Sequence, residues 1–293
     1  MALAQPYNKH FQTVNGKRLA YIDEGQGDPI VLLHGNPTSS YLWRTVIPEL
    51  TGSGRVIAPD LIGQGDSDKL PASDGPDRYG FQVAYDYLDG LMTALGLDRD
   101  VTLVVHDWGS GLGFDWAFHH PRAVKGIAYM EAIVMPVTWD DWPEAARGIF
   151  KGFRSDKGED LIINRNLFVE GVLPGSVLQP LDEAAMAEYR RPFLEPEDRR
   201  VTLNWPREIP IEGEPAAMVA RVEAYGRWLA SDEAPPKLFI NADPGSILTG
   251  RQREFCRGWP RQTEVTVQGN HFVQEDSGPE IGRAIAAWLR DLS

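Results

Sequence analysis

The chain has 293 residues, a formal charge of −13 and one cysteine. That length suits one large domain with an insertion, because single cores subdivide at roughly 250–300 residues. The acidic balance disfavours nucleic acid and anionic membranes as partners, the lone Cys256 excludes an internal disulfide or a Cys-rich metal site, and no apolar run approaches the ~20 residues of a membrane span.

The opening ten residues lack the basic and apolar segments of a secretory leader, which leads to an expectation of a cytoplasmic protein. The expected ligand is a small uncharged or cationic molecule, and the expected working unit a monomer or weak homo-oligomer. Cys256 reads as a small buried apolar residue.

In chain order, aliphatic and β-branched runs at 30–33, 55–58, 101–105, 126–130, 237–240 and 264–267 alternate with helical patterns. Strands without polar alternation, separated by helices, predict an α/β fold with a parallel sheet covered on both faces. Ligands of such sheets sit at the carboxyl ends of the strands, so the residues that follow each run are the first candidates.

The first run opens into His34, Gly35, Asn36 and Pro37. In hydrolases with this turn, the N–H after the glycine joins the N–H after the nucleophile in an oxyanion hole. That assigns the backbone N–H groups of Asn36 and Trp108, whose side chains add an amide and an indole donor. Two donors and no obligatory base suit a departing halide ion.

The third run leads into His106, Asp107, Trp108 and Gly109 at the start of a helical segment. Strand, sharp turn and helix are the setting of an exposed nucleophile, with Asp where ester hydrolases carry Ser. The glycine usual two residues before the nucleophile is Val105 here, and an Asp at this position can equally cap the helix. The fourth run is followed by Glu131 and the fifth by Asp243, two strand-end carboxylates between which spacing does not choose. The sixth is followed by His271, in the chain order of a hydrolase base: nucleophile first, histidine last. A carboxylate would orient that histidine.

Between the fourth and fifth runs lie about 100 residues, more than one crossover helix requires. From 134 to 213 the sequence is rich in helix formers and carries Trp139, Trp142, Phe150, Phe153, Phe168, Phe193 and Trp205. This predicts a helical cap of residues 134–213 over a core of residues 1–133 and 214–293. The alternative is a peripheral insertion whose aromatics only pack on the core.

The stretches HGNPTSSYLW (34–43), DLIGQGDS (60–67), HDWG (106–109), YMEA (129–132), FVE (168–170), VLPG (172–175), WPREIP (205–210) and HFVQED (271–276) closely resemble the haloalkane dehalogenases. The resemblance runs across nearly the whole chain and implies an α/β-hydrolase fold. It implies cleavage of haloalkanes to alcohol, halide and proton through an alkyl ester on Asp107, with no metal or organic cofactor. It favours Glu131 over Asp243 as the acid paired with His271 and gives the halide to Asn36 and Trp108. An apolar pocket of Trp142, Phe150, Phe168, Pro206, Ile209, Ile247 and Phe272 is likewise implied, with departures from relatives at several of these, Trp142 included.

Renilla-type luciferases resemble the chain too, sharing the five-residue constellation, and the stretches EDL (159–161) and DPGS (243–246) fit either group. That likeness implies coelenterazine oxidation as an alternative activity. An epoxide hydrolase would also use an Asp nucleophile, but commonly needs two cap tyrosines, where 134–213 offers only Tyr189. A non-catalytic receptor on the same fold would need no intact base.

Overall fold

The computed structural model describes residues 7–292, so the first six of the ten N-terminal residues considered above lie outside it. Its strands are β1 (His10–Val14), β2 (Lys17–Gly25), β3 (Pro29–Leu33), β4 (Arg55–Pro59), β5 (Val101–Asp107), β6 (Val124–Ala132), β7 (Lys237–Pro244) and β8 (Gln262–Gly269). They form a sheet of order β1-β2-β4-β3-β5-β6-β7-β8. From β4 to β8 neighbouring strands are parallel, as expected from the unbroken apolar runs, and the fold is of the α/β class.

Two strands were not expected. β1 and β2 pair antiparallel through Asn15 and Gly16, both at positive φ, and β2 continues antiparallel onto β4. An Asn-Gly pair is the favoured sequence for such a tight hairpin turn, because both central residues must adopt a left-handed backbone.

The helices are α1 (Ile47–Leu50), α2 (Phe81–Ala94), α3 (Trp108–His119), α4 (Glu144–Phe153), α5 (Glu183–Arg190), α6 (Arg200–Glu208), α7 (Ala216–Leu229), α8 (Gly250–Arg257) and α9 (Val273–Asp291). Alternate residues of one strand feed opposite layers. In β3, Val31 and Leu33 join the core that holds α2, α3 and α7, while Ile30 and Leu32 join the core under α1 and α9. β8 departs from the expected double cover: it is an edge strand, and several of its residues are exposed.

The stretch between β6 and α7 contains α4, α5 and α6 together with π-helical turns at Glu159–Asn164 and Phe168–Val172. Its aromatics divide. Phe153, Phe193 and Trp205 are fully buried in the packing, whereas Trp142, Phe150 and Phe168 also face a cavity over the carboxyl ends of the strands. Cys256 is fully buried, as its reading required, and burial pushes its thiol up.

Candidate active site

β5 ends at Asp107, whose backbone turns sharply with φ 49° and ψ −129° before α3 begins. A non-glycine residue held at positive φ is strained, and such strain persists where the surroundings over-determine it. Here Gly35 and Gly109 admit the close approach. A Cβ on Gly35 would stand 2.0 Å from Asp107 Oδ1, and one on Gly109 would stand 2.2 Å from the Leu33 carbonyl. Asp107 does not cap α3 with its side chain. Its Oδ1 instead accepts the Asn36 N–H at 2.7 Å, and the Trp108 N–H also serves the carboxylate. Those are the two donors the turn sequences named.

On the other side, His271 Nε2 lies 3.4 Å from Asp107 Oδ2, and His271 Nδ1 lies 3.2 Å from Glu131 Oε2. Glu131, one residue before the end of β6, stands at positive φ, fully buried, and accepts N–H bonds from Ser246, Ile247 and Leu248. Spacing left Glu131 and Asp243 open; only Glu131 reaches the imidazole. Asp243 is exposed and takes a bond from Gln268.

Charges follow from this geometry. Burial alone would raise the Asp107 pKa, but the His271 hydrogen bond and charge, His106 and the Trp108 N–H outweigh it and hold the carboxyl below its ordinary value. Burial likewise opposes the His271 imidazolium, yet Asp107 and Glu131 on its two sides raise its pKa to about 9. The neighbouring His106 is driven the other way, to about 4, chiefly by burial and by the His271 charge.

Several supporting residues escaped the reading of the sequence because only the fold makes them neighbours. The Ser110 hydroxyl donates to the Asp107 carbonyl and accepts the Ile133 N–H at 2.8 Å, tying the turn after β5 to the segment after β6. Asp276 accepts from the N–H of Asn270 at 2.9 Å, and the Asn270 side chain accepts the His271 N–H at 2.9 Å. The buried His34 accepts the Leu61 N–H at 3.0 Å and anchors the first turn.

Above these groups is a cavity of about 570 Å³, lined by Asn36, Asp107, Trp108 and His271 and by apolar residues of the stretch between β6 and α7. Trp142, Phe150, Phe168, Pro206, Ile209 and Ile247 line it, and so do Ile149 and Val172, which were not anticipated. Phe272 does not line it. Phe272 is fully buried behind His271, packed with Tyr41, Leu42 and Leu173, because successive residues of the loop point opposite ways and His271 takes the cavity side. Tyr189 is also elsewhere: its hydroxyl donates to Glu275, and no tyrosine is among the described residues that line the cavity. Among the described residues there is no cluster of three or more His, Cys, Asp or Glu that would suit a metal, and no helix is long and apolar enough to cross a membrane.

Residues 28–278 match the alpha/beta hydrolase fold family. The chain is 60% identical over 291 residues to a haloalkane dehalogenase of Sphingobium indicum, covering 99% of this chain and 98% of the relative. It is 53% identical over 293 residues to one of Mycolicibacterium smegmatis, covering 99% and 93%. Among solved structures it superposes on a haloalkane dehalogenase of Bradyrhizobium elkani with a TM-score of 0.92 and 40% identity, over 97% of this chain and 98% of the other. A haloalkane dehalogenase of Agrobacterium tumefaciens gives a TM-score of 0.91 and 33% identity over 99% and 98%. The chain therefore belongs to the alpha/beta hydrolase fold family and, within it, to the haloalkane dehalogenases.

Proposed function

We propose that this haloalkane dehalogenase works through an alkyl ester on Asp107, with residues 134–213 as a cap that closes an apolar reaction chamber over core residues 1–133 and 214–293. The observation that carries the reading is the division of one carboxylate: Oδ1 is held by the Asn36 N–H, and Oδ2 faces His271 at the base of the cavity.

In the first step Asp107 Oδ2 attacks the halogen-bearing carbon. A C–O bond forms, the C–halogen bond breaks, and the halide leaves with the electron pair toward the Asn36 amide and the Trp108 indole. No proton moves, so an ionised Asp107 is the only requirement, and its depressed pKa meets it. The ester is neutral. The Asp107 charge that helped raise the His271 pKa has then gone, and His271 gives up its proton to become a base.

In the second step His271 Nε2 takes a proton from water as the water oxygen adds to the ester carbonyl. The Asn36 and Trp108 N–H groups hold the developing oxyanion. Collapse breaks the ester C–O bond and the alkoxide takes the proton from His271; the carboxylic acid left on Asp107 then passes its proton to His271, restoring the starting state with net release of alcohol, halide and one proton. Glu131 fixes the imidazole through Nδ1.

The chamber walls favour neutral, medium-length bromo- and iodoalkanes over halogenated acids, as does the charge of −13. The catalytic groups all come from one chain, which supports a monomer or weak homo-oligomer as the working unit, and one buried thiol fits a cytoplasmic location. The test is halide release from 1,2-dibromoethane. Stoichiometric bromide and alcohol are expected, and no bromide above a boiled control would reject the reading.

A further inference from the structure

Helix α6 carries a proline in its interior, Pro206. In an α-helix the N–H of residue i bonds to the carbonyl of residue i−4, so residue 206 should serve the carbonyl of Thr202. Proline has no N–H to give, and an interior proline weakens a helix. The Thr202 carbonyl is nonetheless taken: Asn36 Nδ2 donates to it at 3.2 Å, across 166 residues of sequence.

This bond decides how the Asn36 amide faces. Its Oδ1 is buried with no hydrogen-bond partner, so nothing else on the side chain distinguishes the two ends of the amide. With Nδ2 tied to Thr202, its second hydrogen is left to serve an anion in the cavity. With the Thr202 carbonyl engaged by an N–H at 206, that orienting acceptor would be shared and its hold on Nδ2 weakened, and the amide could turn Oδ1, which repels anions, toward the same place. The Trp108 side chain rests on the same helix, stacked on Trp205 with ring centroids 4.8 Å apart. Helix α6 is itself anchored at its carboxyl end, where Arg154 donates to the carbonyls of Pro206 at 2.8 Å and Ile209 at 2.8 Å.

We infer that Pro206 is a positioning residue for the halide site: by withholding an N–H it frees the Thr202 carbonyl, which fixes the donor end of Asn36. The inference rests on the reading of Asn36 as a halide donor. It is separate from the contact of the Pro206 ring with the cavity.

The experiment separates the ring from the N–H. In the whole enzyme, Pro206 is replaced either by Ala or by lactic acid, which carries the same methyl group on a backbone ester that lacks the N–H. Bromide affinity is read by quenching of tryptophan fluorescence, and Asn36→Ala is titrated alongside. Asn36→Ala is expected to bind bromide at least tenfold more weakly than the unaltered enzyme. Pro206→Ala is expected to bind it roughly tenfold more weakly than the lactic acid variant, about the worth of one well-placed hydrogen bond.

Hydrogen exchange gives a second reading on Pro206→Ala alone. The new amide at 206 should be protected, because it has captured the Thr202 carbonyl. If the Ala and lactic acid variants bind bromide equally, or if the amide at 206 exchanges as a free amide does, the role given to Pro206 is overturned while that of Asn36 stands. If Asn36→Ala binds bromide as the unaltered enzyme does, both fall.

Discussion

The backbone N–H of Asn36 holds Oδ1 of Asp107 at 2.7 Å, so the two oxygens of one carboxylate have different neighbours before any substrate arrives. On the proposed mechanism Oδ1 already occupies the oxyanion hole, and Oδ2 is the oxygen left to react. The first consequence concerns His271, which stands near Oδ2 yet on the proposed route has no part in forming the ester. His271→Phe given a bromoalkane should release up to one bromide per site and stop, with the alkyl mass retained on the peptide that contains Asp107. Intact-protein mass spectrometry checks this; a folded, bromide-binding variant with an unmodified Asp107 would reject the covalent route.

The pH dependence of stability follows from the raised His271 pKa. The folded protein binds this proton up to about pH 9, against an ordinary value of 6.5. The stabilisation is therefore fully present below about pH 6.5 and lost as the pH rises through about 9. Melting temperatures of the wild type and His271→Phe, taken from pH 6 to 10, should show the wild type losing more across this window. Parallel curves would mean that the two carboxylates do not hold the proton.

Glu131 and Asp243 each lie one residue before the end of adjacent strands, but only Glu131 meets the imidazole. Glu131→Gln should lower turnover by roughly 10²–10⁴-fold, the range associated with losing an acid–base partner. It should also loosen the 246–248 segment, whose N–H groups it gathers. Asp243→Asn should retain most of the activity. Initial rates of halide release decide it, and the opposite ranking would move the acid to β7.

Gly35 has no room for a methyl group, since a Cβ would stand 2.0 Å from Asp107 Oδ1 and 2.6 Å from the Trp108 N. Gly35→Ala must displace the carboxylate or the turn. Halide release should fall by about 10²-fold or more, the scale of losing an oxyanion donor, while the protein stays folded with a loss of ~1–3 kcal/mol in a denaturant titration. Wild-type rates in this variant would show that Asp107 is not held as described.

The parts of this arrangement that sit just after a strand could be read from the sequence. Each apolar run announces where its chain emerges, which is why Asn36, Asp107, Glu131 and His271 stood out. The hairpin of β1 and β2 was passed over because its strands carry mixed polar and apolar residues, although the Asn15 and Gly16 pair marked the turn. Phe272 was assigned to the cavity by its adjacency to His271, and adjacency does not tell which way a loop residue points. Contacts such as Asn36 with Thr202 depend on a helix contributed from the far side of the insertion. No local pattern encodes them, apart from a proline where a helix would not choose one.

The Ser110 hydroxyl sits between the Asp107 carbonyl and the Ile133 N–H. One short side chain on the first turn of α3 thereby joins the turn that carries Asp107 to the segment that follows Glu131. Helix α4, which supplies Phe150 to the cavity wall, takes no part in that brace, whereas α6 is tied to Asn36 and Trp108. On the proposed mechanism, substrate entry and alcohol exit can be met by displacement of α4, while the spacing between Asp107 and Glu131 stays constant from one turnover to the next. Speed of exchange and accuracy of alignment thus become separately adjustable at α4: substitutions there can alter passage without touching the groups that α6 holds in place.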